Sequence, residues 1–362
     1  MKRSRIIICA LAIVTIGLAS CDKWTEAEPS FKEEFGKTET YYENLRNWKV
    51  AKNGKRISFG WFGGWSGEGA SLQSSLIGIP DSMDMVSIWG DWKNLTPAKI
   101  KDLKFVQERK GTKVLSCLFT MNVGDGFTPE GVSVKEYWGW DPSETGLNEE
   151  PSESQKLAIQ KYARAIVDLT LKNGYDGVDV DHEPNYGGGG NLSSSYPRLR
   201  VFFDEMSKFV GPSSGTDKLL CIDGEPQSIP KEIGKHFNYF IVQAYDATSY
   251  TNLNNRLSTT IRNHAGGLTA EEVAAKYIVT ENFEKADYFT YGGAVFRQED
   301  GSTTRSLAGM AQWQPLIDGV RYEKAGVGAY HFEYEYQVPN QNGFFPFMRN
   351  AIRIMNSTNE VK

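Results

Sequence analysis

Tyr175-Asp176-Gly177-Val178-Asp179-Val180-Asp181-His182-Glu183-Pro184 is the stretch on which the reading of this chain turns. It alternates with period two. In a β-strand, side chains two residues apart share a face, so Asp179, Asp181 and, if the strand continues, Glu183 point one way. Val178 and Val180 point the other. Valines would then pack outward against helices while the acids line an interior, with Glu183 at the strand's C-terminal end. Successive acids would stand about 6.5–7 Å apart. Like charges at that range in a partly dry site resist full ionisation. A shared proton follows, and it would keep Glu183 protonated near neutrality, as a general acid requires. A solvated edge strand would not alternate its acids with valines behind a capped helix. Asp179-Val180-Asp181 also has the form of a DxD metal site. A calcium loop, however, needs a glycine turn and further oxygen ligands, which Pro184 and the valines oppose. No metal is expected.

Working outward, similar apolar runs recur along the chain. Strands are expected near 57–61, 84–89, 113–119, 175–181, 218–223, 238–244, 277–281 and 326–332. Between them lie helical signals. Thr96-Pro97 is an N-cap followed by proline at the first helical position, with Gly111 after the last turn. Ser152 and Gln155 have capping-box spacing, and Ile159, Tyr162, Ala163, Ile166 and Val167 then share one helical face. Segments around 196–210, 269–276, 306–319 and 344–355 also suit helices. Eight strands alternating with helices over about 300 residues fit an α/β fold of the (β/α)8 TIM-barrel type. The competing architecture is a doubly wound open sheet, but no dinucleotide fingerprint supports it. The glycine run 187–190 opens no helix with phosphate-loop spacing and reads as a mobile loop.

The 362-residue chain has 40% hydrophobic and 23% charged residues, a net charge of −5 and no long basic block. A nucleic-acid partner would want a basic stripe, so that class is set aside. At the start, Lys2, Arg3 and Arg5 precede an apolar run from Ile6 to Leu18, too short to span a membrane comfortably. Leu18-Ala19-Ser20-Cys21 follows and resembles a bacterial lipobox. The expected organisation is a signal peptide over 1–20, a lipidated Cys21 with a tether over 21–50 that includes a short helix, and a catalytic barrel over 51–362. Lipid on Cys21 would hold the protein on a bacterial membrane, the outer membrane or cell surface, without a spanning helix. Cys117 and Cys221 read as buried free thiols. His182, His236, His264 and His331 show no zinc spacing; His182 shares the outward side with Val180 and reads as structural.

The acidic stretch closely resembles the D-G-x-D-x-D-x-E signature of glycoside hydrolase family 18, the chitinases and endo-β-N-acetylglucosaminidases. Asp176, Gly177, Asp179, Asp181 and Glu183 fill every fixed position. The resemblance implies a (β/α)8 barrel with this motif on its fourth strand, which is also where the independent strand count places it. It further implies substrate-assisted retention with no cofactor. Glu183 would protonate the departing oxygen, the substrate's own 2-acetamido oxygen would attack, Asp181 would orient that group and Asp179 would hold Asp181. A second match is Phe240-Ile241-Val242-Gln243-Ala244-Tyr245-Asp246. There Tyr245 would hydrogen-bond the acetamido carbonyl, and the Gln243-x-Tyr245 form is more similar to the endo-β-N-acetylglucosaminidases than to the Met-x-Tyr-Asp of many chitinases. Two departures stand out. The family's S-x-G-G reads Ser116-Cys117-Leu118-Phe119, without glycines. The pocket-floor Trp expected on the eighth strand is replaced by the Tyr330-His331-Phe332-Glu333 region.

The function expected on these grounds is cleavage of the GlcNAc–GlcNAc core of N-glycans, with a chitinase, or a non-catalytic carbohydrate-binding protein on the same barrel, as alternatives. The partner is an N-acetylglucosamine-containing glycan, and the expected state is a monomer. Trp61, Trp65, Trp89, Tyr186 and Tyr330 are the aromatic residues near strand ends considered for sugar stacking. Glycan selectivity would lie in the loops 62–80, 122–150, 185–196 and 282–305.

Overall fold

The computed structural model describes residues 37–51, 56–341 and 343–356. Its centre is a closed barrel of eight strands: β1 (Ile57–Phe62), β2 (Met85–Ile88), β3 (Lys113–Phe119), β4 (Gly177–His182), β5 (Leu219–Gly224), β6 (Tyr239–Val242), β7 (Tyr277–Asn282) and β8 (Gly326–Tyr330). Every neighbouring pair is parallel, including β1 with β8, which closes the ring. The architecture is the expected (β/α)8 barrel, and each strand lies where the alternating runs placed it.

Alternation builds two cores. Phe59, Trp61, Leu115, Cys117, Ile241 and Ile278 pack inside the barrel. Phe62, Val114, Val178, Val180, Ile222 and Phe240 face outward and pack with the helical layer. A strand covered on both faces is the condition under which a parallel sheet is stable. Gly177 is required by close approach: a Cβ there would meet the Leu219 carbonyl oxygen at 2.1 Å, so a side chain would push β5 off β4.

The helix Glu153–Lys172 begins with the Ser152/Gln155 capping box and buries Ile159, Tyr162, Ala163, Ile166 and Val167. Thr96 accepts from the Lys99 N–H ahead of Pro97, and Gly111 ends that segment at φ 67° after a last turn of π-helix over Val106–Lys110. Further helices lie at Val134–Trp138, Tyr196–Met206, Ala270–Lys276, Ser306–Gln312 and Pro346–Asn356, with a short helix at Glu39–Val50. Two points differ from expectation. The helix expected over 306–319 stops at Gln312, and Leu316–Ile317 pairs with Val320–Arg321 across Asp318-Gly319. Both turn residues have positive φ, at 50° and 79°, the geometry for which Asp-Gly is favoured in tight hairpins. A helix not expected from the sequence runs from Tyr250 to His264, burying Leu253, Leu257, Thr260 and His264.

Residues 1–20 and Cys21 lie outside the described residues. Among the described residues, no helix is long and apolar enough to cross a membrane. Cys117 and Cys221 are buried free thiols.

Candidate active site

The acid row stands on β4. Asp179 and Asp181 are buried, and Glu183, one residue past the strand end, is half-buried. Strand pairing surrounds them: Asp179 lies opposite Cys117 on β3 and Cys221 on β5, and Asp181 lies opposite Phe119 and Asp223. Val178 and Val180 point into the outer core, as alternation requires. His182 shares that outward side. It is buried, its Nε2 lies 3.3 Å from the Ser228 carbonyl oxygen, and burial lowers its pKa to about 4. It is therefore a neutral packing residue.

Asp181 feels the charge of Glu183, and burial and that neighbour both push its pKa up. Burial likewise raises Asp179, against hydrogen bonds from its surroundings. The Trp61 indole N–H donates to Asp179 Oδ2 at 3.0 Å. Burial raises Glu183 as well, the Glu225 carboxylate adds to this, and a hydrogen bond to Gln243 opposes it. Tyr245 is pushed well up, first by burial and then by Asp223 and Asp181, so its hydroxyl stays a neutral donor beside the carboxyls. Glu183, Asp181, Asp179, Gln243 and Tyr245 are thus brought together at the C-terminal end of the barrel, where catalytic groups of this fold gather.

Neighbouring carboxylates shape the rim. Gly224, at φ 82°, leaves room for the acid, since a Cβ there would come within 2.9 Å of Glu183 Cγ. Glu225 accepts the Asn185 backbone N–H at 3.1 Å, its side-chain amide at 2.5 Å and the Ser228 hydroxyl at 2.8 Å, which ties down the turn that follows Glu183-Pro184. On β7, buried Glu281 accepts from the N–H groups of Asp246 at 3.0 Å and Asn282 at 2.8 Å and from the Ser306 hydroxyl. That holds Asp246 at φ 57° and with it the turn that presents Tyr245.

The aromatic residues divide. Tyr330 stands at the end of β8 with its ring 5.8 Å from Trp89, 6.1 Å from Trp61 and 6.3 Å from Tyr245. It stands on the strand where the family's Trp was expected, and Trp89 is part-exposed beside it. Tyr186 is 80% exposed on the loop after Glu183. Two expectations are corrected. Trp65 is 6% exposed and donates to Asp102 Oδ2 at 2.8 Å within the outer core, so it packs and cannot present a ring to a sugar. Trp61 is 2% exposed and serves as the donor to Asp179. Ser116, the one matching residue of that S-x-G-G segment, points outward to Thr170 at 2.8 Å, and Cys117 takes the inward position.

Sequence reasoning missed three residues. Asp223 is buried against Asp179 and Asp181. Its signal was present in Leu219-Leu220-Cys221-Ile222-Asp223, whose alternation turns Cys221 and Asp223 inward. Phe119, 39% exposed, ends β3 on the inward register beside Asp181. Glu225 had no local signal. Cys117 Sγ and carboxylate oxygens of Asp179 and Asp223 lie within 4.8 Å of one another. A thiol must ionise to bind a metal, whereas burial and three carboxylates push this thiol well up; a proton answers the same electrostatic need. A separate cavity of about 550 Å³ opens beside Arg56 and Arg353 between the helices Ser306–Gln312 and Pro346–Asn356. Among the described residues that line it there is no carboxylate, and none belongs to the acid row.

The BT1044-like model of glycoside hydrolase family 18 matches residues 25–354. Among solved structures, a selenomethionine form of BT1044 carrying a Glu-to-Gln substitution aligns at 27% identity and a TM-score of 0.74, over 90% of this chain and 94% of that one. A doubly substituted endo-β-N-acetylglucosaminidase from Cordyceps militaris, in complex with fucosyl-N-acetylglucosamine-Asn, aligns at 17% identity and 0.55, over 88% and 97%. Its apo form aligns at 18% and 0.53 over the same shares. No curated protein matches the chain.

Proposed function

Because the chain belongs to glycoside hydrolase family 18, in its BT1044-like group, we propose that it is a retaining, substrate-assisted endo-β-N-acetylglucosaminidase that cleaves the GlcNAc-β-1,4-GlcNAc core of N-glycans. The observation that carries this reading is the half-buried Glu183, raised by burial, held by Gln243 and flanked by Asp181 and Tyr245. A carboxyl that keeps its proton near neutrality is what a departing glycosidic oxygen needs.

In the first step the Glu183 proton passes to that oxygen as its bond to the anomeric carbon breaks. The acetamido carbonyl oxygen forms the new bond to that carbon, giving an oxazolinium ion. Asp181, as a carboxylate, accepts the acetamido N–H and balances the charge, while the Tyr245 hydroxyl donates to the carbonyl oxygen. In the second step water attacks the anomeric carbon, its proton returns to Glu183 and the ring opens. Two inversions give net retention without a protein nucleophile, a departure from the two-carboxylate scheme. Trp89 and Tyr330 wall the sugar, with Tyr186 at the rim.

The Gln243-x-Tyr245 form supports the endo reading over a chitinase. The fold shared with the Cordyceps militaris enzyme supports it by analogy. Incubation with a defined N-glycoprotein and with chitin oligosaccharides tests it: one GlcNAc left on the protein is expected, whereas release of chitobiose alone, or binding without cleavage, overturns it. The same proposal places the catalytic body on a membrane, the outer membrane or cell surface, through lipid on Cys21, with residues 1–20 removed. A Cys21→Ser chain should then partition into the aqueous phase; retention in membranes would contradict the anchor.

A further inference from the structure

Three buried carboxyls meet inside the barrel, and among the described residues no cation faces them. Asp223 lies on β5 opposite Asp181, and one of its carboxylate oxygens lies within 4.8 Å of one of Asp179. Buried like charges this close resist full ionisation, so the cluster carries at least one proton. The donors are unevenly shared. Asp179 receives the Trp61 N–H at 3.0 Å and has Ser87 facing it from β2. Asp181 lies toward the mouth and the substrate. Asp223 is 1% exposed and has the Cys117 thiol, a weak donor, at 3.9 Å. The other titratable groups facing it are Cys221 on its own strand and Tyr245 from the turn after β6. As an anion, Asp223 would be the least supported of the three.

We propose that Asp223 is a positioning residue of this site: it holds a proton and donates it toward Asp181, so that Asp181 remains a carboxylate aimed at the substrate's amide. The role assigned to Asp181 rests on the hydrolase reading; the location of the proton does not. No bond to substrate forms at Asp223, and its proton stays in place through the cycle. Burial and the two neighbouring carboxylates raise Asp223 well above the ordinary range, consistent with a neutral acid. Asp179 supports Asp181 from its own strand, and Asp223 adds a second support from the adjacent one.

The test uses Asp223→Asn, which keeps the shape and a donor but cannot hold a carboxylic proton, and Asp223→Ala, which removes both. Infrared difference spectra of the wild-type protein and Asp223→Asn at neutral pH should show the C=O stretch of a buried protonated carboxyl lost or moved in frequency. An unchanged band overturns the proposal, and this readout needs no enzymatic activity. In glycan release, Asp223→Ala should lose about a hundredfold in kcat, the scale of a misplaced reacting group, with KM little changed, and Asp223→Asn should recover most of that loss. Equal losses in both variants, or none in Asp223→Ala, contradict a donating role. If Asp223→Ala does not fold, the spectrum of Asp223→Asn still decides. A wild-type protein that shows the band change yet cleaves no glycan would sink the hydrolase reading and leave the proton where it is placed.

Discussion

Buried aspartates occur in this barrel in two settings, and the contrast separates structure from chemistry. At the N-terminal end and in the outer layer they are saturated with donors. Asp84 accepts the Ser58 N–H at 2.9 Å and its hydroxyl at 3.0 Å. Asp102 accepts from Trp65 Nε1 at 2.8 Å and from the Leu76 and Ile77 N–H groups at 2.6 and 2.8 Å. Asp176 accepts from Val114 N–H, Gln107 and Lys113. Inside the mouth, Asp179, Asp181 and Asp223 face one another, and Oδ1 of both Asp179 and Asp181 lacks a partner. Donors in abundance fix a loop. Acceptors in excess hold a proton and leave an oxygen free for a substrate, at a cost in stability that a purely structural residue would have no reason to bear.

The contrast can be broken most forcefully at its functional pole. Glu183→Gln should remove at least about two orders of magnitude of kcat, and a glycan-release assay showing little loss would overturn the acid. In the wild type, kcat/KM should fall as pH rises through the raised pKa of Glu183, because the acid form is the one required. Next comes a crossed pair. Asp181→Asn should lose about a hundredfold in kcat with its melting temperature held or raised, since a like charge is gone. Asp102→Ala should keep kcat per folded molecule but lose stability, on the order of 1–3 kcal/mol for each buried donor left unpaired. Denaturant titration alongside kinetics checks both; similar effects in the two variants would erase the distinction.

A further carboxyl sharpens it. Buried Glu335 accepts the Phe347 and Met348 N–H groups at the start of the last helix, yet burial raises its pKa to about 8. A carboxyl whose folded pKa is raised contributes stability that is fully present below its ordinary value and lost as pH climbs through about 8. Thermal melts across that window should therefore decline less steeply in Glu335→Gln; identical slopes would exclude the residue. The smallest effect is expected at Phe119, where Phe119→Ala should raise KM about tenfold or less, a ring contact being worth roughly 0.5–1.5 kcal/mol. An unchanged KM would remove it from the cleft.

Much of this was legible from the chain because alternation is a local signal. The eight strands, the capped helix before β4 and the inward set Asp179, Asp181 and Glu183 all follow from period-two and period-3.6 patterns. What escaped depended on distant partners. Nothing local distinguishes Trp65, packed on Asp102, from a tryptophan open to a sugar. The Tyr250–His264 helix was missed because its sequence, TNLNNRLSTT in its middle, buries few apolar residues. Asp223 belonged to the same alternation that revealed Asp181, but an isolated acid at the end of a strand becomes informative only when the strand beside it is known.

The central claim is that Asp181 steers the substrate's own amide into attack while Glu183 supplies the proton. Replacing the substrate's acetamido group by trifluoroacetamido weakens the carbonyl oxygen as a nucleophile and leaves the glycosidic bond in place. The account predicts that kcat on the fluorinated substrate falls well below that on the natural one. Equal rates on the two substrates would contradict it.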